Sequence, residues 1–268
     1  MEKERLNILL IGKNGFIGKN LYELLSSSKY NITSLSRNEL DVTKFSEVEK
    51  TLKSKKYDFV INCASDMRDS PAGSFNNVKS FLNFYLNRGL FGHYITFGSG
   101  AEYGPVLQSN PMLENNVNSF FANTFYGLGK KVISNLCEDT SNFISLRLFG
   151  CFGKYEKDFR LLKRFKKSTN VFNLQNNRLF DYFWVEDIIP VLEYIFNYKT
   201  EFHNINLTYS EKIDLFEFLE RFKVFHRCDT EIIMDGQESR YYYIGDNNRL
   251  LSMNIKLQGL DAGLQKYE

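Results

Sequence analysis

The chain is poor in the residues that build disulfide and metal sites. Its 268 residues include only four cysteines and three histidines. The cysteines are widely spaced and form no CxxC pair, so we predict neither a disulfide framework nor a zinc site and expect buried thiols. The scarcity of histidine argues against a His-rich metal centre and against a Ser-His-Asp hydrolase. The cysteines concerned are Cys63, Cys137, Cys151 and Cys228.

An excess of one charge and a long apolar run are also missing. Thirty-four Lys and Arg stand against 32 Asp and Glu, so the composition gives no footprint for nucleic acid or an anionic membrane and favours a small-molecule ligand. The opening MEKERLNILLIG puts charged residues before an apolar run too short for a signal peptide or a membrane span. We therefore expect a cytoplasmic protein with no nucleic-acid partner and no membrane partner.

Short apolar runs alternate with stretches of helical periodicity along the first half of the chain. This alternation predicts βαβ units, and continuously apolar runs are typical of parallel strands that helices cover on both faces. Right-handed crossovers then give an α/β fold with a doubly wound parallel sheet, the Rossmann architecture. We predict strands at 6–11, 32–35, 59–62, 94–97 and 144–148, and helices at 17–26, 45–53, 78–88, 125–138 and 187–198, the second helix capped by Thr43.

Three glycines with GxxGxxG spacing follow the first predicted strand and open the first predicted helix, in the segment GKNGFIG. Glycine permits the sharp turn of a dinucleotide-binding motif and brings backbone N–H groups to a pyrophosphate, whose charge the helix N-terminus favours. The alternative is an ordinary glycine-rich turn between a strand and a helix. The predicted cofactor contacts of this turn are Gly12, Asn14, Gly15, Phe16, Ile17 and Gly18.

The end of the second predicted strand carries Arg37, where an NAD enzyme usually places an acidic residue for the ribose 2′-hydroxyl. A guanidinium there can pair with a 2′-phosphate and stack on adenine, so we predict NADP(H) as the cofactor. An ordinary surface arginine is the alternative interpretation. The other predicted cofactor contacts are Ser36, Asp41 and Val42 after this strand and Cys63, Ala64 and Ser65 after the third.

Tyr126 and Lys130 form a candidate catalytic pair in the segment YGLGK. Their helical spacing puts both side chains on one side, where the lysine ammonium stabilises a phenolate and can also bind the cofactor ribose. Because the chain has 16 tyrosines, the pair alone could arise by chance. Ser99 strengthens the hypothesis, since it follows the fourth predicted strand, where ligands bind, and its hydroxyl can hold a substrate carbonyl beside the tyrosine. We predict Ser99, Tyr126 and Lys130 as the catalytic residues.

With these motifs in this order, the chain resembles the extended short-chain dehydrogenase/reductase family, in particular its nucleotide-sugar branch of 4-ketoreductases, epimerases and dehydratases. The stretch SLSRNELDVTKFSEVEKTLKSKKYDFVINCAS resembles dTDP-4-dehydrorhamnose reductases. The segments SGAEYG, YGLGK, RLFGCFG and FDYFWVED resemble the family's SSxxVYG, YxxSK, RxxNxYG and RDFxYVxD. The resemblance implies a nucleotide-diphosphate sugar as substrate and a homodimer formed through a helix bundle.

Departures from the family pattern narrow the reaction that the resemblance implies. Dehydratases carry Thr-Asp-Glu where this chain has Ser99-Gly100-Ala101, and GDP-fucose synthases epimerise with a cysteine at the position of Ala101 and a histidine that is missing here. Galactose-type 4-epimerases hold NAD with an acidic residue that Arg37 replaces. The implied reaction is NADPH-dependent reduction of the C4 ketone of a nucleotide-linked 4-keto-6-deoxy sugar. A nucleotide-sugar 4-epimerase and a non-catalytic NADP-binding regulatory protein are the alternatives.

Two more departures fall at the substrate end of the site. Gly150 replaces an asparagine that often touches the sugar nucleotide's phosphates in the family, and Phe180 takes the usual place of an arginine. Binding of the diphosphate is therefore expected to depend on Arg178 or another cation of the substrate lobe. The predicted substrate contacts are Ser99, Gly100, Ala101, Tyr126, Gly150 and Arg178.

The rhythm of strands and helices breaks after about Phe152, where basic and Asn-rich sequence follows. We expect residues 1–152, with a returning segment near 181–206, to form the NADP-binding Rossmann domain. Residues 153–268 are expected to form mostly a small substrate-binding lobe. The basic stretch 163–167 is interpreted as a solvated helix face, which is more common than a nucleic-acid site.

Overall fold

The computed structural model describes residues 5–26, 29–105, 110–198, 200–234, 236 and 241–268, so residues 1–4, three of which are charged, lie outside it. Its strands are β1 (Asn7–Ile11), β2 (Asn31–Leu35), β3 (Tyr57–Asn62), β4 (Phe91–Ser99), β5 (Phe143–Leu148), β6 (Gly150–Phe152), β7 (Val171–Leu174), β8 (Tyr182–Trp184), β9 (Asn204–Leu207) and β10 (Glu231–Met234). Its helices are α1 (Phe16–Leu25), α2 (Phe45–Ser54), α3 (Pro71–Leu86), α4 (Phe125–Glu138), α5 (Leu161–Lys167), α6 (Ile188–Asn197), α7 (Leu215–His226), α8 (Asn248–Ser252) and α9 (Leu260–Lys266).

Six strands pair in parallel to form the central sheet, in the order β2-β1-β3-β4-β5-β9. The order reverses between β1 and β3, which opens a crevice at the carboxyl ends of these two strands. Apolar clusters cover both faces of the sheet, one with α1 and α6 and the other with α2, α3 and α4. The predicted α/β fold with a doubly wound parallel sheet is confirmed.

The helix boundaries correct two expectations. Thr43 does not cap α2, which begins after Lys44 without a side-chain cap, because the Thr43 hydroxyl donates to the Asp41 carboxylate at 2.7 Å. Helix α3 begins at Pro71, earlier than the predicted start at residue 78. The Ser70 hydroxyl caps it by accepting from the Gly73 amide at 3.2 Å, and proline suits a first helical turn, where its missing N–H costs nothing.

The part of the chain after β5 has a core of its own beside the main sheet. Phe152, Trp184, Phe218 and Phe222 lie at the centre of this second core, which α5, α7 and α9 enclose. Two small parallel sheets, β6 with β8 and β7 with β10, add its backbone framework. Helix α6 and strand β9 return to the central sheet, so the chain crosses between the two cores more than once.

The cysteines differ in their exposure. Cys137 and Cys151 are buried as expected, whereas Cys63 and Cys228 are half-buried, so the expectation of buried thiols is confirmed for only two of the four. Among the described residues, no group of three or more His, Cys, Asp or Glu side chains could hold a metal ion. None of the helices in the described part of the chain is long and apolar enough to cross a membrane.

Candidate cofactor and active site

In the glycine-rich turn after β1, the backbone packs closely against the backbone that follows β3. Gly12 has φ +83°, which favours glycine, and a Cβ there would lie 2.9 Å from the Ala64 nitrogen. The Gly12 amide donates to the Leu35 carbonyl at 2.8 Å, which ties the end of β1 to the end of β2. Helix α1 begins after Gly15 without a side-chain cap, and an uncapped helix N-terminus offers N–H groups to an anion. Asn14 and Gly15 are exposed, and Phe16 and Ile17 are half-buried.

One cleft lies beside this turn, at the carboxyl ends of β1, β2 and β3. It brings together six residues that the sequence predicts as cofactor contacts: Gly12, Arg37, Asp41, Val42, Ala64 and Ser65. It also includes residues that the sequence analysis missed: Ile11, Leu40, Thr43, Asp66, Asn76, Asn77 and Ser80. The earlier start of α3 explains two of these omissions, because it places Asn76 and Asn77 on the helix that faces the sheet edge.

Charges at the end of β2 are partly neutralised by one another. Glu39 accepts hydrogen bonds from the Ser36 amide at 2.8 Å and the Ser36 hydroxyl at 2.6 Å, and Lys13 pairs with it at 2.8 Å. The hydrogen bonds from Lys13 and Ser36 lower the pKa of Glu39 to about 2, so its carboxylate is ionised at neutral pH. Arg37 is exposed and makes no ion pair within 4.0 Å among the described residues. The Arg37 guanidinium is therefore available to a phosphate, whereas the Lys13 ammonium is paired with Glu39.

Helix α4 carries the candidate catalytic pair and is anchored at its first turn. The Thr124 hydroxyl accepts from the Gly127 amide at 2.9 Å, and the Asp69 carboxylate accepts from the Tyr126 amide at 3.1 Å. Lys130 is buried, donates from Nζ to the Phe97 carbonyl at 2.7 Å, and places Nζ 5.7 Å from the centre of the Tyr126 ring. The structure thus brings Tyr126 and Lys130 to the carboxyl end of β4.

Lys130 also connects the catalytic pair with the cofactor side of the site. Burial raises the pKa of the Cys63 thiol, and the Lys130 ammonium acts in the opposite direction. Lys130 Nζ is hydrogen-bonded to the carbonyl of Phe97, which follows Thr96, and Thr96 pairs with Asn62, the last residue of β3. The ammonium therefore lies near the carboxyl ends of both β3 and β4.

Ser99 is buried at the end of β4 and is held by a tight turn. Its hydroxyl accepts from the Ala101 amide at 3.2 Å, while the Glu102 carboxylate accepts from the Ser99 amide at 2.8 Å. Glu102 forms a fully buried ion pair with Arg147 at 2.8 Å, and Arg147 also donates to Asn206 Oδ1 at 2.9 Å. This buried network ties the Ser99 backbone to β5 and β9.

Phe149, Phe180 and Tyr243 pack together beside Ser99 and form an aromatic wall. Tyr243, which the sequence analysis missed, places its hydroxyl 3.5 Å from Ser99 Oγ, and its ring packs on Phe149 and Phe180 with centroids 5.2 Å and 4.8 Å away. The Arg178 guanidinium lies 5.2 Å from the centre of the Phe180 ring. Its Nε is buried without a hydrogen-bond partner among the described residues. Tyr243 could not be found from periodicity, since it lies between β10 and α8, outside any regular strand or helix.

The other predicted substrate residues lie at two places, in the turn after Ser99 and beside Phe180. Gly100 is buried and Ala101 half-buried in the turn after Ser99. Gly150 is buried, and a Cβ there would lie 2.7 Å from Phe180 and 2.8 Å from Tyr182. The asparagine of the family pattern would have no room at Gly150, because these two rings fill its place. Arg178 is half-buried beside Phe180.

The doubly wound parallel sheet, and the cleft beside the glycine-rich turn at the carboxyl ends of its strands, define a dinucleotide-binding protein of the Rossmann type. The chain belongs to the NAD-dependent epimerase/dehydratase family, whose model matches residues 8–208. The family expected from the sequence motifs is therefore confirmed. No protein of curated function matches the chain by sequence.

Several solved structures are similar to this one over almost their whole length, although their sequences are distant. A dTDP-4-dehydrorhamnose reductase from Bacillus anthracis in complex with NADP has a TM-score of 0.83 at 16% identity, covering 98% of both chains. A GDP-mannoheptose C4 reductase from Campylobacter jejuni with NADP bound has a TM-score of 0.81 at 18% identity, covering 99% of this chain and 98% of that one. A UDP-glucose 4-epimerase from Thermotoga maritima with UDP-glucose has a TM-score of 0.80 at 14% identity, covering 97% of both.

Proposed function

We propose that the protein uses NADPH to reduce the C4 ketone of a nucleotide-linked 4-keto-6-deoxy sugar. The observation that carries the proposal is the meeting of Lys130, Tyr126 and the Ser99 turn at the carboxyl end of β4, one strand along from the cleft at β1 to β3. The reductases of similar fold that hold NADP support it. The lack of acidic side chains at Gly100 and Ala101 argues against dehydration in the same site.

The residues of the cleft fit NADP(H). The φ of Gly12 and its contact with Ala64 leave no room for a side chain, so backbone N–H groups can approach a pyrophosphate at the uncapped start of α1. Arg37 offers an unpaired guanidinium for the 2′-phosphate, while the Glu39 carboxylate is paired with Lys13 and accepts a hydrogen bond from Ser36. When bound, the nicotinamide supplies the hydride. The chain itself supplies the proton and the orientation of the ketone.

In this mechanism Tyr126 gives its phenolic proton to the ketone oxygen as C4 receives the hydride, and the product is a secondary alcohol. Ser99 donates a hydrogen bond to the same oxygen and fixes its position beside Tyr126. One N–H of the Lys130 ammonium is used by the Phe97 carbonyl. The two that remain can hold the cofactor ribose and stabilise the Tyr126 phenolate left after proton transfer.

We further propose that Arg178 contacts the substrate diphosphate. A buried guanidinium N–H without an acceptor is unfavourable, and a phosphate oxygen would satisfy it. Arg178 stands next to Phe180, which occupies the position of the family's arginine, so the cation is displaced along the chain but stays beside the aromatic wall. Gly150 lies beneath Phe180 and Tyr182, and any contact of Gly150 with substrate would be made by its backbone.

The proposed reaction is tested by mixing the purified protein and NADPH with dTDP-, GDP-, CDP- and UDP-4-keto-6-deoxy sugars while following the loss of nicotinamide absorbance. We expect stoichiometric NADPH oxidation with at least one of them. Conversion of a sugar nucleotide without net NADPH oxidation would favour the epimerase. NADPH binding without conversion of any panel member would favour the non-catalytic protein.

Replacing Arg37 by Ala is expected to weaken NADPH binding about tenfold to a hundredfold, because charge-assisted hydrogen bonds contribute about 1.5–3 kcal/mol. NADH lacks the 2′-phosphate and can lose only the stacking of Arg37 on adenine, so its affinity should fall much less. Arg88→Ala is the matched control, since Arg88 is also exposed but precedes β4 at the opposite edge of the sheet. Fluorescence titration with both nucleotides measures the effect, and an equal loss for NADPH and NADH would refute the role of Arg37.

We also propose that the protein forms a homodimer through α3 and α4. These helices lie side by side, and each exposes apolar side chains at helical spacing on one face. Exposed apolar faces of this kind mark interfaces, and a second copy would complete a four-helix bundle. The side chains concerned are Phe75, Leu82 and Leu86 on α3 and Phe125, Leu128 and Val132 on α4.

The double substitution Leu86→Glu, Val132→Glu is expected to convert the dimer into a monomer, because it would bury four carboxylates in a two-copy interface. Light scattering coupled to gel filtration measures the mass directly. Val224→Glu on α7 is the control, since Val224 is 71% exposed and α7 is a helix of the second core. A monomeric wild type at micromolar concentration, or a variant that remains dimeric, would contradict this interface.

A further inference from the structure

Tyr243 brings a second hydroxyl to the Ser99 side chain from a distant part of the chain. The two oxygens lie 3.5 Å apart, at the long edge of hydrogen bonding. The Tyr243 backbone is fixed, because its amide donates to the Leu179 carbonyl at 3.0 Å and its carbonyl accepts from the Asp181 amide at 2.9 Å. The ring is held between Phe149 and Phe180. The phenol therefore has a defined position beside Ser99.

The glycine at position 100 makes this position possible. A Cβ at Gly100 would lie 2.8 Å from Cζ of Tyr243 and 2.4 Å from the Phe149 ring. The two rings thus occupy the space of a side chain at position 100, where the resembling dehydratases carry an acid. The same packing therefore leaves no room for an acidic side chain at position 100 and brings the Tyr243 hydroxyl beside Ser99.

The hydrogen-bonding capacity of Ser99 shows what the Tyr243 hydroxyl can do. A serine hydroxyl has two acceptor lone pairs and one hydrogen to donate. The Ala101 amide already donates to Ser99 Oγ at 3.2 Å. If the Tyr243 hydroxyl donates to the second lone pair, both acceptor positions of Ser99 Oγ are filled. The Ser99 hydroxyl can then only donate its hydrogen, to an acceptor other than Tyr243. Burial raises the pKa of Tyr243, which keeps its phenol protonated and able to donate.

We propose that Tyr243 is a positioning residue for the reduction: its hydroxyl donates to Ser99 Oγ and thereby aims the Ser99 hydrogen at the ketone oxygen. The inference rests on the proposed function, because it takes the Ser99 contact with the ketone from there. It assigns the aromatic wall a part in the reaction. Phe149 and Phe180 hold the phenol, and Asp181 fixes the backbone that carries it.

The test is a double-mutant cycle between Tyr243→Phe and Ser99→Ala, with the panel sugar that the wild type reduces. Tyr243→Phe keeps the ring and its packing but removes the donor, so we expect kcat to fall about tenfold, as for the loss of one hydrogen bond. The affinity for NADPH should not change. In the Ser99→Ala background, Tyr243→Phe should cause no further loss, because the group through which it acts is gone.

Tyr182→Phe is the matched control, since Tyr182 belongs to the same aromatic cluster and stacks on Phe218 but does not contact Ser99. It should retain wild-type kcat. An unchanged kcat in Tyr243→Phe, or equal losses in the presence and absence of the Ser99 hydroxyl, would overturn the positioning role. A wild type that reduces no panel sugar would overturn the proposed function itself, so the two failures are distinct.

Discussion

Tyr126→Phe is expected to lower kcat about a hundredfold to ten-thousandfold, the usual contribution of a positioned general acid. The substitution removes only the phenolic oxygen. The Tyr126 amide keeps its bond to Asp69, Thr124 still caps α4, and Lys130 keeps its bond to the Phe97 carbonyl. NADPH affinity should therefore stay close to that of the wild type. Single-turnover kinetics and a nucleotide titration separate these two quantities.

Tyr198→Phe is the control for this substitution, because Tyr198 is 63% exposed at the end of α6 and lies outside the site. It should leave both kcat and NADPH affinity unchanged. Wild-type turnover in Tyr126→Phe would show that another group protonates the ketone oxygen. Loss of NADPH binding in parallel with turnover would instead mean that Tyr126 is needed for the cofactor and not for proton transfer.

Arg147→Met is expected to destabilise the protein by about 3–5 kcal/mol, the usual cost of leaving one partner of a buried ion pair alone. Arg147 and Glu102 are both fully buried, and Arg147 Nη1 also donates to the Tyr103 hydroxyl and to Asn206. Its removal would strand the Glu102 carboxylate in the core. Urea unfolding measures the change in the free energy of unfolding.

The double variant Glu102→Gln, Arg147→Met tests the reason for this loss. A glutamine at position 102 can still accept from the Ser99 amide but brings no buried charge, so the double variant should be more stable than Arg147→Met alone. Equal stability of the two variants would show that packing, and not the stranded charge, causes the loss. A change below about 1 kcal/mol in Arg147→Met would contradict the importance of the pair.

The central sheet could be predicted because β1, β3, β4 and β5 contain short, mostly apolar runs where helices cover both faces, whereas the half-buried edge strand β2 fits the alternation of strands and helices. The search for apolar runs missed strand β9, because Asn204 and Asn206 alternate with Ile205 and Leu207 along it. All four side chains are nevertheless buried. The side-chain nitrogens of both asparagines donate to specific partners, such as the Ser134 carbonyl for Asn204 and the Met112 carbonyl for Asn206, whereas Asn204 Oδ1 has no partner among the described residues. A local pattern cannot predict such compensation. The division into a cofactor-binding domain and a substrate-binding lobe stays a prediction.

The cofactor side of the site could be predicted further than the substrate side. Its residues stand within a few positions of strand ends, and the carboxyl ends of parallel strands meet at one edge of a sheet. Tyr243 reaches the site by packing on Phe149 and Phe180, which no spacing in the sequence encodes, and Arg178 was predicted only through the family resemblance. The effect of Gly100 is of the same kind, since a missing side chain gains meaning only from the rings that fill its place.

The transfer of a labelled hydride tests the central claim most directly. The wild-type protein would be mixed with NADPH that carries deuterium in the transferable position and with the panel of nucleotide-linked 4-keto-6-deoxy sugars. One deuterium at C4 of the product, with one NADPH oxidised for each alcohol formed, is the result expected of a reductase. A sugar product without deuterium and without NADPH oxidation, or no product from any panel member, would contradict the proposed reduction.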